Sequence, residues 1–425
     1  MKVAVVGAGW AGLAAAVRAT QAGHAVSVFE AAAMPGGRAR SDDERIDALD
    51  NGQHILLGGY ARALALMRDV GVDVDAAFAR MPLAITWPDG GGLVLPAGRF
   101  AAARGLLAAR GFTARDRLSL LATVARWRRA GFRCDESLTV TALLRHTSAR
   151  VRERLLEPLC IAALNTPASE ASATVLLAVL KDSLFGAAGA SDLLLPLRPL
   201  AHLLPLPAIA WLRDRGVPVL LRRRINALQH DGGHWIVHSD RPAEATRFDR
   251  VVLAATATEA ARLAAPVASR WAAQAAALEH EPIVTLVLHA PSRPWPAPML
   301  ALANDTERRP AQFAFRLGPQ AGAFDRVTLV VSAAGAWSDR GNDGIAAAAI
   351  EQYREAFGIG ADERVACTSI RADRRATFRC VAGVTRPPAQ IAQGLLAAGD
   401  YVAGRYPATL EAAVLAGEAA AGMLD

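Results

Sequence analysis

The segment "KVAVVGAGWAGLAAAVRATQAGHAVSVFE", Lys2 to Glu30, runs three textures together without a linker. Lys2 to Gly7 is a short apolar run of the kind a strand buried on both faces needs, Trp10 to Ala22 has the length and small apolar content of a packed helix, and His24 to Glu30 is a second apolar run. The three form a βαβ unit with parallel strands. Gly7, Gly9 and Gly12 fall at the strand-to-helix turn in the spacing GxGxxG. The first glycine permits the tight turn, the second lets backbone approach a pyrophosphate, and the third lets helix and strand pack closely. The helix start, with Ala11 in its first turn, offers amide donors and the positive end of the helix dipole to phosphate. Glu30, ending the second strand, is placed to accept hydrogen bonds from an adenosine ribose. The unit predicts a dinucleotide site and leaves FAD and NAD open.

Two further stretches choose between them. "EAAAMPGGRARS", Glu30 to Ser41, adds a second glycine-rich basic loop, with Gly36, Gly37, Arg38 and Arg40 suited to a pyrophosphate and a flavin edge. "LLAAGDYVAGRYPATLEAAVLAG", from Leu395, reads as strand, loop and a helix beginning near Ala408; Asp400, beside Gly399, is placed for ribityl hydroxyls, and the amides of Thr409 and Leu410 for a flavin carbonyl. Together, GxGxxG, GGRxxS and AGD followed by a helix resemble the FAD-dependent amine oxidase and phytoene desaturase superfamily. The resemblance implies an α/β fold: a discontinuous Rossmann-like FAD-binding domain with an inserted α+β substrate domain. It implies FAD contacts from Gly7, Gly9, Gly12, Glu30, Gly37, Arg38, Asp400 and Leu410, and a backbone contact to adenine from Ile225. "DNGQH", Asp50 to His54, matches a superfamily segment that passes over the flavin, which adds Gly52, Gln53 and His54 to the candidates.

Along the chain, residues 1–75, 200–275 and 386–425 read as one αβ cofactor domain, with strands around the "DGG" turn at 231–233 and a further strand over Phe248 to Thr256. Residues 76–199 are helix-rich, as in "LSLLATVARWRRAGF", and 276–385 alternate as strands, as in "IVTLVLHA"; these two inserts form the substrate-binding domain.

Hydrophobic residues make up 52% of the 425 and charged residues 20%, which excludes a disordered chain and suits a greasy ligand or a membrane surface. The formal charge of +7 is carried almost wholly by arginine, since Lys2 and Lys181 are the only lysines. The arginines are scattered and not interleaved with aromatics, so nucleic acid is not expected. Cys134, Cys160, Cys367 and Cys380 form no CxxC, so neither a metal site nor a disulfide framework is expected, and a reducing, cytoplasmic setting is the default. The glycine spacing argues against reading the N-terminus as a signal peptide. Leu193 to Leu212 is the longest apolar stretch elsewhere, but its prolines, Arg198 and His202 make it a poor spanning helix. It motivates peripheral contact with the inner face of the cell membrane, against a buried segment as the alternative.

"EPLCIAALNTPASEASA", Glu157 to Ala173, is general to neither amine oxidases nor desaturases. With "LLAVLKDSLF", "SDLLLPL", "DNGQHILLGGY", "RRATF" and "YPATLEAAV" it resembles the hydroxysqualene dehydroxylases, squalene-associated FAD enzymes of bacterial hopanoid pathways, nearly end to end. That resemblance implies reductive removal of the hydroxyl of hydroxysqualene, a C30 isoprenoid alcohol, to give squalene and water. His54 is the first candidate proton donor and Tyr406 the second, with Asn165 a candidate hydrogen-bond partner of the leaving oxygen. Alternatively His54 only props the flavin loop, and Asn165 and Thr166 form a helix-boundary turn with Ser169 capping the next helix. A carotenoid-type desaturase, an amine oxidase and a non-catalytic lipid-binding flavoprotein are the rival readings. With a single dinucleotide fingerprint, the electron donor stays open.

Overall fold

A computed structural model describes residues 1–46, 48–95, 101–241, 246–319 and 324–425. The chain divides into two compact units, Met1–Arg80 with Leu194–Glu279 and Thr385–Asp425, and Met81–Leu193 with His280–Val384.

The first unit is built on β1 (Lys2–Val6), α1 (Trp10–Gln21) and β2 (Ala25–Phe29). β1 lies parallel to β2 on one side and to Arg250–Leu253 on the other. The six-stranded sheet runs Gln390–Ala392, Leu395–Ala397, Arg250–Leu253, β1, β2, Val219–Leu220, and only its Gln390–Ala392 edge is antiparallel. Central position explains the composition of β1: Val3, Ala4 and Val5 are completely buried. α1 and the terminal helix Leu410–Gly422 pack closely because Gly417 has no side chain; a Cβ there would lie 2.1 Å from the Ala11 carbonyl oxygen.

The stretch expected as one strand over Phe248 to Thr256 is two. Thr246–Phe248 joins an antiparallel sheet with Ile225–Asp231 and His234–Ser239, and Arg250–Leu253 joins the parallel sheet. Asp249 makes the switch: its amide donates to the Lys2 carbonyl (2.9 Å) and its carboxylate accepts from the Lys2 amide (2.7 Å). Leu193 to Leu212 is mostly buried, as the alternative reading expected. It forms the strand Leu193–Pro196 and the helix Pro205–Arg213, with Leu194, Leu200, Leu203, Leu204 and Leu212 buried and only Leu197 among its leucines well exposed. Among the described residues no helix is long and apolar enough to cross a membrane.

The second unit holds a five-stranded antiparallel sheet ordered Met299–Ala301, Phe313–Pro319, Phe324–Val331, His280–Pro291, Ala366–Phe378. The helix Gly341–Phe357 shares a core with the sheet through Ile345, Ala349 and the fully buried Tyr353. A helical group includes Ala114–Arg129, Ala173–Leu184 and a continuous run from Ala149 to Leu164. That run loosens to a π-turn over Arg152–Leu156 because Pro158 has no N–H for the Arg154 carbonyl. The Trp87 indole N–H donates to that oxygen instead, at 3.1 Å.

Candidate functional site

In the first unit the glycine loops lie side by side. Gly7 has φ 114°, and a Cβ there would sit 2.5 Å from the Ala254 carbonyl oxygen; a Cβ on Gly12 would sit 1.9 Å from the Gly7 oxygen. The turn is therefore closed to any side chain at those positions. Gly9 caps α1 with no side-chain hydrogen bond, so amides of the first turn, Ala11 and Gly12 among them, have neither a cap nor an intrahelical acceptor. Gly36 donates its amide to the Ala8 carbonyl at 2.8 Å, and a Cβ built on Gly9 would lie 3.7 Å from the Gly37 Cα. Glu30 accepts from the amides of Ala8 and Ala32, both at 2.7 Å, which brings its carboxylate beside the first loop.

Arg38 pairs with the buried Asp400, joining the second loop to the C-terminal segment across the sequence. The Tyr401 hydroxyl, next along, is buried with no partner among the described residues. A floor of glycine backbone, first-turn amides without acceptors and an unpaired buried hydroxyl suit a ligand rich in phosphate and hydroxyl oxygens. Those residues would hold its pyrophosphate and ribityl parts. Ile225, buried at the start of its strand, gives its carbonyl to the Arg262 guanidinium at 3.2 Å.

"DNGQH" is positioned by pairing that the sequence did not disclose. Residues 38–42 and 49–51 run antiparallel: Asn51 N–H donates to the Arg40 carbonyl (3.0 Å), Asp42 N–H to the Leu49 carbonyl (2.9 Å), and the Asn51 side-chain amide to the Arg38 carbonyl. Asp50 accepts from the Ser41 hydroxyl at 2.6 Å and from the Leu200 amide at 2.9 Å. Burial pushes its carboxyl above the ordinary value, against the pull of those hydrogen bonds and of nearby His54. Gly52, Gln53 and His54 follow, all half-buried. His54 Nδ1 lies 2.9 Å from the Gly52 carbonyl oxygen, which can only accept, so Nδ1 carries the hydrogen and the neutral ring is protonated there.

The terminal helix begins at Leu410 with Thr409 as its cap, the Thr409 hydroxyl accepting from the Ala412 amide at 3.1 Å. Two residues here escaped sequence reasoning. Tyr60 meets Thr409 through its hydroxyl, and burial raises that hydroxyl well above its usual range, with Glu411 and Tyr406 adding to the effect. Glu411, almost fully buried, accepts the amides of Arg62 (3.0 Å) and Ala63 (2.8 Å) and so caps the neighbouring helix Ala61–Asp69. Only an acidic residue in the first turn of an apolar helix hinted at it. Tyr406 is half-buried, and its carbonyl accepts from Arg386, which also holds the Val402 carbonyl.

Asn165 belongs to the second unit. It ends its helix in the left-handed conformation, φ 47°. Its amide nitrogen donates to the Thr377 hydroxyl (2.9 Å) and the Glu281 carbonyl (3.3 Å), and its oxygen accepts from the Ala333 amide (2.7 Å). Both amide hydrogens are thus engaged within the unit. Thr166, fully buried, accepts from the Cys380 amide at 3.0 Å. The cap of the following helix is Ser172, not Ser169: the Ser172 hydroxyl accepts from the Val175 amide, while 168–170 are still turning. The stretch from Asn165 to Ser172 is thus a knot tying two helix ends to the strand Ala366–Phe378 and its exit.

A parallel sheet with a glycine-lined phosphate turn, a second glycine loop and an acidic C-terminal partner define a flavin-dependent oxidoreductase, and the chain belongs to the family of flavin containing amine oxidoreductases, matched over residues 10–424. FAD is the cofactor. Within that class the chain is 27% identical to a hydroxysqualene dehydroxylase of Zymomonas mobilis, covering 98% of this chain and 97% of the relative. It is 29% identical to a hydroxysqualene dehydroxylase of Rhodopseudomonas palustris, covering 99% and 98%. Likeness to a probable zeta-carotene desaturase of Synechococcus elongatus reaches 43%, but over 17% of this chain and 15% of the relative. Among solved structures, an oxidoreductase from Methanosarcina mazei superposes with a TM-score of 0.75 at 16% identity, covering 99% of both chains.

Proposed function

We propose that the chain removes the hydroxyl of hydroxysqualene reductively, releasing squalene and water. The observation that carries this reading is similarity running through both units to two hydroxysqualene dehydroxylases, where likeness to a carotene desaturase is confined to a short segment. Reduced FAD, when bound, supplies the hydride equivalent. The chain's own residues do the rest. Gly7, Gly9, Ala11, Gly12, Gly36 and Gly37 would leave room for the pyrophosphate and offer it amides; Glu30 would hold the ribose, Ile225 the adenine, and Arg38, Gly399 and Asp400 the ribityl side. Gly52 and Gln53 would lie along the flavin, and Thr409 and Leu410, at the start of the terminal helix, would offer it backbone amides.

His54 is the proton donor in this reading. Departure of an allylic hydroxyl as water needs one proton, and with its Nδ1 hydrogen fixed on the Gly52 carbonyl His54 has Nε2 as the nitrogen to carry and deliver it. Tyr406 is the second candidate. Asn165, with both amide hydrogens engaged, serves the turn in preference to the leaving oxygen.

The test is anaerobic incubation of photoreduced enzyme with hydroxysqualene. The expected result is one squalene for each flavin reoxidised. No squalene and no reoxidation sinks the reading, and dehydrogenation of a polyene by the oxidised enzyme would substitute the desaturase.

A further inference from the structure

The helix Ala114–Arg129 presents to water a face that water does not favour. Leu118 is 66% exposed and Leu121 52% exposed, and Ala122 and Ala125 are exposed with them. At 3.6 residues per turn these four fall within an arc of about 100°, opposite the inward-facing Asp116, Thr123 and Trp127. Arginines border the strip: Arg115 and Arg126 follow one edge, Arg128 the other, and Arg129 closes its C-terminal end, all exposed. The Arg128 guanidinium also lies 5.4 Å over the ring of Phe185, an exposed aromatic that extends the strip.

The helix has one carboxylate, Asp116, and it is buried, capping with Thr113 and accepting from the Ser148 hydroxyl. Arg115, Arg126 and Arg129 have no carboxylate partner among the described residues. Solvated helices ordinarily mix charges of both signs on the outer face. An apolar strip edged only by cations matches instead a surface with an apolar interior and an anionic skin. A second copy of this chain would bring arginine against arginine across a two-fold contact, which disfavours self-association through this face.

We propose that Ala114–Arg129 docks the protein on an anionic lipid bilayer, with Leu118 and Leu121 sunk at the acyl boundary and the arginines on headgroup phosphates. The purpose of docking, access to a C30 hydrocarbon that water does not dissolve, rests on the dehydroxylase reading; the docking itself rests on the helix. The test is flotation of purified holoenzyme with vesicles of phosphatidylcholine, alone or with roughly a third phosphatidylglycerol. Binding to the anionic vesicles is expected to exceed that to neutral ones about tenfold or more, and to fall about tenfold in Leu118→Asp/Leu121→Asp, in Arg115→Glu/Arg126→Glu and in roughly 0.5 M salt.

Retained FAD absorbance verifies that both variants fold. Equal binding to the two vesicle types, or anionic binding untouched by either variant, overturns the proposal. So does a dimer, seen by sedimentation velocity without lipid, that the leucine variant dissociates. Turnover of detergent-dispersed hydroxysqualene separates the two readings: the leucine variant is expected to keep it, and its absence in the parent protein would sink the dehydroxylase assignment while leaving the flotation result intact.

Discussion

Asn165 adopts a backbone conformation that alanine or a branched residue tolerates poorly, and it then uses its side chain to hold three strands of chain. Asn165→Ala is expected to lose about 2 kcal/mol in urea unfolding, because the half-buried Ala333 amide and Thr377 hydroxyl lose their partner. Asn165→Gly relieves the backbone and should recover only about 1 kcal/mol. Near-parental stability in Asn165→Ala together with slow turnover would return the residue to the reaction. His54→Ala is expected to keep FAD and to lower turnover on the order of a hundredfold or more; loss of FAD with normal turnover per bound flavin would make His54 a prop of its loop. Glu411 sets a pH dependence. Its carboxyl is held above the ordinary 4.5, chiefly by burial, so the folded state binds the proton more tightly than the unfolded chain. Stability from this group is then present below 4.5 and declines as pH rises through the folded value. Glu411→Gln should flatten that part of a stability profile, while leaving one of the two amides of Arg62 and Ala63 poorly satisfied.

Helices and turns carry the next set of constraints. Gly417 lets the terminal helix touch α1 through backbone, and Gly417→Ala would press a methyl within 2.1 Å of the Ala11 oxygen. Because Ala11 lies in the first turn of α1, the helix proposed to meet the pyrophosphate, the expected outcome is lower Tm together with weaker FAD retention, read from the flavin released on gel filtration. Unchanged retention would show that the helix start does not feel that contact. In the second unit, burial pushes the Cys160 thiol up to about 12, and Cys380 is equally buried. With a thiol reagent at neutral pH, Cys134 and Cys367 should react in the folded protein, and Cys160 and Cys380 only after denaturation. Fast labelling of Cys160 in the native state would contradict its burial, where its thiol donates to the Thr166 carbonyl at 3.8 Å.

The first unit assembles from three separated segments because its sheet orders them so: β1 sits between β2 and Arg250–Leu253, and Leu395–Ala397 follows outward. Arg38 with Asp400 and the Glu411 cap on Ala61–Asp69 lock the C-terminal segment onto the N-terminal one. Arg38→Ala and Asp400→Asn should therefore each weaken FAD binding and shift Tm downward, and the double variant should cost less than the sum, since each single change already removes the same ion pair. A strictly additive pair of effects would show that the ion pair does not couple the segments.

Local chemistry was enough to read β1, α1, β2, the two glycine loops and the start of the terminal helix. Each is written in short-range terms: an apolar run, a glycine where no Cβ fits, a threonine before a helix. The strand switch at Asp249, the hairpin that aligns 38–42 with 49–51, the capping by Glu411 and the exposed leucines of Ala114–Arg129 were not readable. The switch and the cap depend on partners far away in the chain, the hairpin on pairing between polar residues that carry no alternating strand pattern, and the exposed leucines on which face of the helix the rest of the protein covers. Leu193 to Leu212 and Ala114–Arg129 make the difference plain. The more apolar of the two is folded into the core, and the more basic one is left with its leucines in water, because burial is decided by packing among all the elements and not by the hydropathy of one.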